Sequence, residues 1–357
     1  MTKVEKRILI TFDYELFLGK ESGSVKNCLI TPTNEIVKVL NNYKLKSIFF
    51  VDTLYLYQLK LKSIHFKQAE KDYILIKNQL RQLISYGHHL FHHIHPHWLD
   101  AVYIENTNQW DLSDKKKFAL SNLEKVEVEE VFRISRKILD EIYEGFQPPV
   151  FWGIRAGGLY AQPLNHYLNC LIEHNIRIDS SVLKKAHSES ISCKFDYTNS
   201  PISDIYKCND DILLEDPNGC LIEISMESFN IKGINRVFNS LFFRFNNKKK
   251  DWQKWGDGMP SGNVVRSKEK KEESFISKIS EGSYETYSVE LLNNFKSYLY
   301  FKELNNKEFI NLISHPKLVS PANLKAFDLF IRKANEKYII KSDVFEIITS
   351  NNINISS

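Results

Sequence analysis

A chain of 357 residues, 43% hydrophobic and 26% charged, has the composition of an ordinary globular protein with material for a large core, and its small net charge of +4 excludes general nucleic-acid binding. The five cysteines, Cys28, Cys170, Cys193, Cys208 and Cys220, are scattered and form no Cys-x-x-Cys pair, which excludes a disulfide framework and a thiolate metal site. No apolar run reaches the roughly 18 residues of a membrane span, and Met1 to Arg7 leads straight into an apolar segment without a signal-peptide cleavage pattern, so a cytoplasmic location is expected.

Short β-branched runs alternate with amphipathic segments, the pattern of βα units around a parallel sheet. Arg7 to Asp13 predicts the first strand. Thr31-Pro32-Thr33 opens a helix whose apolar stripe is Ile36, Val37, Leu40 and Tyr43, and Ser47 to Asp52 predicts the second strand. A further helix is expected over Tyr73 to Ser85, with Gly87 ending it. The run from Gly87 to Trp98 then holds six of the chain's 11 histidines. Pro96 fits neither a helix interior nor a central strand, so Phe91 to His95 is expected to be a strand that leaves into a loop. Alternation along it puts His93 and His95 on one side and His92 on the other, with His97 on the loop within reach of His93.

Helices are expected at Glu127 to Tyr143 and Leu164 to His174. Strands at Val150 to Ala156, Ile176 to Val182, Leu221 to Met226 and Phe309 to His315 bring the count to seven, one short of an eight-stranded barrel. Residues 246–273, rich in Lys, Glu, Gly and Asn, read as a long loop or insertion in a domain covering residues 1–350, and residues 351–357 as a polar tail. Asp13, the histidine run, Arg155, Asp179 and His315 all stand at C-terminal ends of strands, the end at which an α/β barrel builds its site.

Taken in order, Thr11-Phe-Asp13, His93-Ile-His-Pro-His97, Arg155-Ala-Gly-Gly158, Asp179-Ser-Ser181 and Leu312-Ile-Ser-His315 resemble the five motifs of the polysaccharide deacetylases, the NodB-homology group or carbohydrate esterase family four. The resemblance spans about Ile8 to His315. It implies a distorted (β/α)7 barrel, which accounts for the absent eighth strand, a divalent metal, most often zinc, and hydrolysis of the N-acetyl amide of an amino sugar. It also implies roles. His93 and His97 match the metal-binding histidines, Asp13 the base that takes a proton from water, and Arg155 the partner of that base. His315 matches the acid that protonates the departing amine, and Asp179 the carboxylate that holds and charges His315. Zinc held by two neutral imidazoles and a carboxylate keeps an open position and lowers the pKa of a bound water to roughly 7.

One position departs from the family pattern. Where the family has a second Asp after the base, as third metal ligand, this chain has Tyr14. In an extended strand Tyr14 faces away from Asp13 while Glu15 shares its side, so Glu15 is expected to supply the carboxylate; the alternative is that Asp13 itself binds the metal.

The expected substrate is an N-acylated sugar made inside the cell, nucleotide-linked or lipid-linked. The alternatives are a C–N hydrolase acting on a small non-sugar amide and a catalytically inactive sugar-binding relative. Trp98, Trp152 and Tyr160 are candidates to stack on a sugar ring, with core packing as the other reading. Residues 236–250, apolar at Val237, Phe238, Leu241, Phe242 and Phe245 and followed by a lysine triplet, are a candidate peripheral membrane contact or else an outer barrel helix.

Overall fold

The computed structural model describes residues 3–19, 21–189, 194–231, 249–260 and 283–351, together with 233, 235, 239, 242 and 353. The expected insertion is therefore described only over 249–260, and most of the candidate membrane segment 236–250 and of the polar tail lies outside the described residues.

The first strand, β1 (Val4–Tyr14), is long and apolar on both sides because it lies between neighbours within the sheet and under helices on its outer face. It is followed by α1 (Thr31–Asn42), β2 (Ile48–Asp52), α2 (Thr53–Ser63), α3 (Lys67–Ser85) and β3 (His89–Ile94). The chain continues through α4 (Lys125–Tyr143), β4 (Trp152–Ala156), α5 (Leu168–Glu173), β5 (Ile176–Asp179), β6 (Ile205–Cys208) and β7 (Leu221–Ile224). Then come α6 (Asn294–Asn306), β8 (Phe309–Ser314), α7 (Pro321–Lys337), β9 (Tyr338–Lys341) and α8 (Val344–Ser350). Among the described residues no helix is long and apolar enough to cross a membrane.

These strands form one sheet in the order β6-β7-β5-β4-β3-β2-β1-β8, with β9 also paired to β1. All pairings are parallel except β6 with β7. Six of the seven expected strands, β1 to β5 and β7, follow one another across the sheet, and the seventh, β8, returns to the far side of β1, so the sheet curls into a half-barrel of the (β/α)7 kind. No backbone ladder joins β7 to β8. Instead the Asn311 side chain on β8 spans the seam, its Nδ2 donating to the carbonyls of Ile224 and Ser225 at 3.3 Å each.

Two strands of this sheet were not expected. β6 and β9 are only four residues long, and β9 follows α7 without a turn signal between them. Helix α2 was also missed, and α3 starts at Lys67 rather than Tyr73. The expected helix over Leu164 to His174 is a 3-10 turn, Leu164–His166, followed by the short α5.

Register decides which side chains enter the barrel. Asp52 pairs with His93 and His93 with Arg155, so these residues share the inner face with Phe50 and, through its pairing with Phe50, Asp13. His92 pairs with Ile154 and Ile154 with Asp179, and Asp179 with Glu223, which places these four on the opposite, helix-facing side. A one-residue offset in sequence therefore separates site from outer layer.

Candidate active site

At the C-terminal ends of the strands, β1 projects Asp13 inward and its continuation Glu15 to the same side, as strand alternation requires. Tyr14 points away, its hydroxyl donating to Gln79 on α3 at 2.8 Å. Arg155 is buried under the floor of the site. Its Nη1 donates to Asp13 Oδ1 at 2.5 Å, its Nη2 to Thr11 and Ser180 hydroxyls, and its Nε to the Ser180 carbonyl. Burial pushes the Asp13 carboxyl up, but the guanidinium, with His93 and His315, outweighs it and holds the group below its ordinary value. Asp13 is ionised at neutral pH.

His93 Nδ1 lies 2.8 Å from the carbonyl oxygen of Arg155, which can only accept, so that nitrogen carries the proton. Its Nε2 lies 3.3 Å from Glu15 Oε2 and 4.0 Å from Asp13 Oδ2. His95 Nδ1 lies 3.4 Å from the same Glu15 oxygen and 3.2 Å from Asp52 Oδ2, which also accepts from Trp98 Nε1 at 2.7 Å. Glu15 Oε2 is buried with no hydrogen-bond donor among the described residues. Among the described residues, Glu15, His93 and His95 are the group whose potential ligand atoms lie within 4.8 Å of one another. Two imidazoles and a buried carboxylate oxygen short of a donor fit a divalent cation of borderline softness such as zinc.

His97 is not in that group. The strand stops at Ile94, His95 is still extended, and Pro96 starts a 3-10 turn that carries His97 elsewhere. The His97 ring stacks on Phe118 at 5.2 Å and Trp98 at 6.2 Å, and contacts His95 edge-on at 5.5 Å. It is 1% exposed with neither nitrogen hydrogen-bonded among the described residues, and burial depresses its pKa to about 3. Where the sequence pointed to His97, the structure brings His95 beside Glu15 and His93. Gly157 permits this: a Cβ there would come within 2.5 Å of His95 Cδ2 and of the Ile94 carbonyl.

His315 follows β8, its Nε2 3.5 Å from Asp13 Oδ2 and 3.6 Å from Glu15 Oε1. The expected partner, Asp179, does not hold it. Asp179 faces the outer layer, where it accepts from the Ser181 backbone N–H at 2.8 Å and neighbours Glu223. The carboxylate at His315 is Glu290, which accepts the His315 backbone N–H at 2.7 Å and lies 3.2 Å from Nδ1. Burial alone would lower the His315 pKa, but Glu290, then Asp13 and Glu15, raise it to about 9. Glu290 sits in no motif and on no regular element, so nothing local in the sequence marks it. Lys317, two residues past His315, is a second addition: its Nζ donates to Glu15 Oε1 at 2.8 Å.

The other histidines serve packing. His92 lies 2.7 Å from the Ser135 hydroxyl on α4, His89 pairs with Asp343, and His88 packs edge-on against Phe49. Trp98 and Trp152 are buried in the core and unavailable to a sugar, and Tyr160 is also buried, its ring packed between Phe118 and Phe195.

The curled, mostly parallel nine-stranded sheet, which carries a histidine and carboxylate cluster at its strand ends, shares its fold with a solved polysaccharide deacetylase. Over 99% of its length the chain superposes on 93% of a crystal structure assigned to a polysaccharide deacetylase from Mycobacterium smegmatis, with a TM-score of 0.51 and 14% identity. Looser matches are a family 4 acetyl xylan esterase from Clostridium thermocellum in complex with a cobalt ion (TM-score 0.39, 11% identity, 98% of this chain and 94% of that one) and the Puue allantoinase (0.45, 12%, 98% and 92%). No family model and no curated protein sequence matches the chain.

Proposed function

We propose that the protein is a metal-dependent deacetylase that hydrolyses the N-acetyl amide of an amino sugar. The observation that carries this reading is the convergence, at the C-terminal ends of the strands, of a ligand set (Glu15, His93, His95) with an ionised carboxylate, Asp13, and a second imidazole, His315, both His93 and His315 lying within 4.0 Å of Asp13 Oδ2. An amide needs an activated water, a charge sink and an acid for its nitrogen, and the site has a candidate for each.

Glu15, His93 and His95 would hold the metal, which when bound supplies a Lewis acid and lowers the pKa of a water. Asp13, kept ionised by Arg155, accepts the proton of the attacking water. The water oxygen bonds to the acetyl carbon and the C–N bond breaks. His315, charged through Glu290, delivers a proton to the departing nitrogen, so the products are acetate and a free amine.

The carrier of the sugar is proposed to be a phosphate-bearing precursor, nucleotide-linked or lipid-linked, in the cytoplasm. What supports a phosphate is Lys254, exposed and standing 4.1 Å over the Phe17 ring, two residues beyond Glu15. A screen of acetate release over sugar nucleotides and lipid-linked N-acetyl sugars, run with metal-stripped and zinc-loaded protein, tests the proposal. Acetate release only from the loaded protein is the expected result; no release from any acylated sugar overturns it.

A further inference from the structure

Lys317 is only 5% exposed, yet its ammonium is fully engaged. Nζ donates to Glu15 Oε1 at 2.8 Å and to the Leu16 carbonyl at 2.6 Å, and it stands 5.0 Å from the centre of the Phe17 ring. Its own backbone is pinned from the other side, where the Gly256 N–H donates to the Lys317 carbonyl at 2.9 Å. A Cβ on Gly256 would come within 2.5 Å of that carbonyl, so the 249–260 segment locks the lysine in place. The two oxygens of Glu15 are thereby divided. Oε1 belongs to Lys317, while Oε2 has no donor among the described residues and faces His93 and His95 at 3.3 and 3.4 Å.

We propose that Lys317 is a positioning residue that acts as the resident counter-cation of Glu15, fixing it as a one-oxygen ligand and lowering the affinity of the site for a divalent ion. This assignment rests on the metal reading given above. Three of the four inner carboxylates have a cationic partner, Arg155 for Asp13, Lys317 for Glu15 and His315 for Glu290, and the fourth, Asp52, accepts from Trp98 and lies against His95. The Glu15 carboxylate in particular is charge-compensated without an ion. A dication bound at Oε2 shares one carboxylate with a fixed unit cation that cannot withdraw, because the Leu16 carbonyl and the Phe17 ring hold it. At short range in a poorly solvated site that repulsion outweighs surface screening.

The test is zinc titration by competition with a chromophoric chelator, using the metal-stripped full chain as wild type, Lys317→Met, Lys317→Gln and Lys317→Arg, with thermal midpoints of the metal-free proteins measured alongside. Lys317→Met and Lys317→Gln are expected to bind zinc about tenfold tighter or more, since the repelling charge is gone. Their metal-free midpoints should fall, because Glu15 is left buried without its cation. Lys317→Arg should restore both the midpoint and an affinity close to wild type. Lys317→Gln keeps a donor of similar reach, so it decides the matter if the Met variant does not fold. Zinc bound by wild type and equally or more weakly by the neutral variants overturns the Lys317 assignment and leaves the metal reading standing. Zinc bound by none of the four proteins overturns both.

Discussion

Glu290 and His315 are joined twice: the His315 backbone N–H donates to Glu290 Oε2 at 2.7 Å, and the imidazole Nδ1 lies 3.2 Å from the same oxygen. A carboxylate gripped through both main chain and ring fixes the orientation of the imidazole as well as its charge, leaving Nε2 toward Asp13. Glu290→Gln should therefore lower the His315 pKa from about 9 toward its ordinary 6.5, followed by NMR of the ring protons. The rate of acetate release should fall by roughly 10- to 100-fold, the scale of a lost acid–base contribution. Asp179→Asn should leave that pKa within a few tenths of a unit, because Asp179 faces the other side of the sheet. A His315 pKa that follows Asp179 and ignores Glu290 would reverse the assignment.

The histidine pair makes a second prediction. His93→Ala and His95→Ala should each release the bound metal on dialysis, measured by atomic emission, while His97→Phe retains it and keeps the stack with Phe118 and Trp98. Loss of metal from His97→Phe, with retention in His95→Ala, is the result that would restore the spacing read from the sequence.

Gly157→Ala probes the same site without touching a ligand. The added methyl meets His95 Cδ2 and the Ile94 carbonyl at 2.5 Å, so ring or backbone must shift. Overpacking of this kind costs about 1–3 kcal/mol. Zinc affinity should fall together with the denaturation midpoint, and a variant with wild-type affinity would show that His95 has room to move.

Below the outer face, Asp179 and Glu223 lie in register on adjacent strands, fully buried, with Asp179 Oδ2 and Glu223 Oε2 lacking any donor among the described residues. Burial raises both carboxyls, Glu223 well above its ordinary value with Asp179 adding to the rise, so the folded pair keeps a proton. A raised folded pKa stabilises the protein below the unfolded values of 3.8 and 4.5, and that stability is lost as pH rises through the pair's titration. Glu223→Gln replaces the shared proton with a permanent amide donor. Urea denaturation at a series of pH values should show the variant gaining on wild type above pH ~5, by about 1 kcal/mol or more at neutrality. A constant difference across that range would mean that no proton is shared.

The strand pattern was legible in the sequence because burial on both faces selects unbroken apolar runs: β1, β2, β7 and β8 all lie where such runs predict them. Glu15 was legible for a related reason. Period-two alternation alone puts it on the side of Asp13, and it does lie beside His93. The same alternation placed His95 with His93, but the family's histidine spacing pointed past it to His97, which the turn at Pro96 carries into an aromatic stack.

What the sequence by itself determined is thus the local order: which runs are strands, which end of each carries charge, and which neighbours along one strand share a face. Only the tertiary structure decided partners across the barrel. Asp179 is a strand-end carboxylate by sequence, but one residue of register turns it outward, and the carboxylate that meets His315 comes from a loop about 110 residues later in the chain. Lys317 reaches Glu15 only because β8 closes beside β1, across 302 residues of chain. Pairings of that kind depend on the curl of the sheet and on how its seam is bridged, and no periodicity within a single segment encodes them.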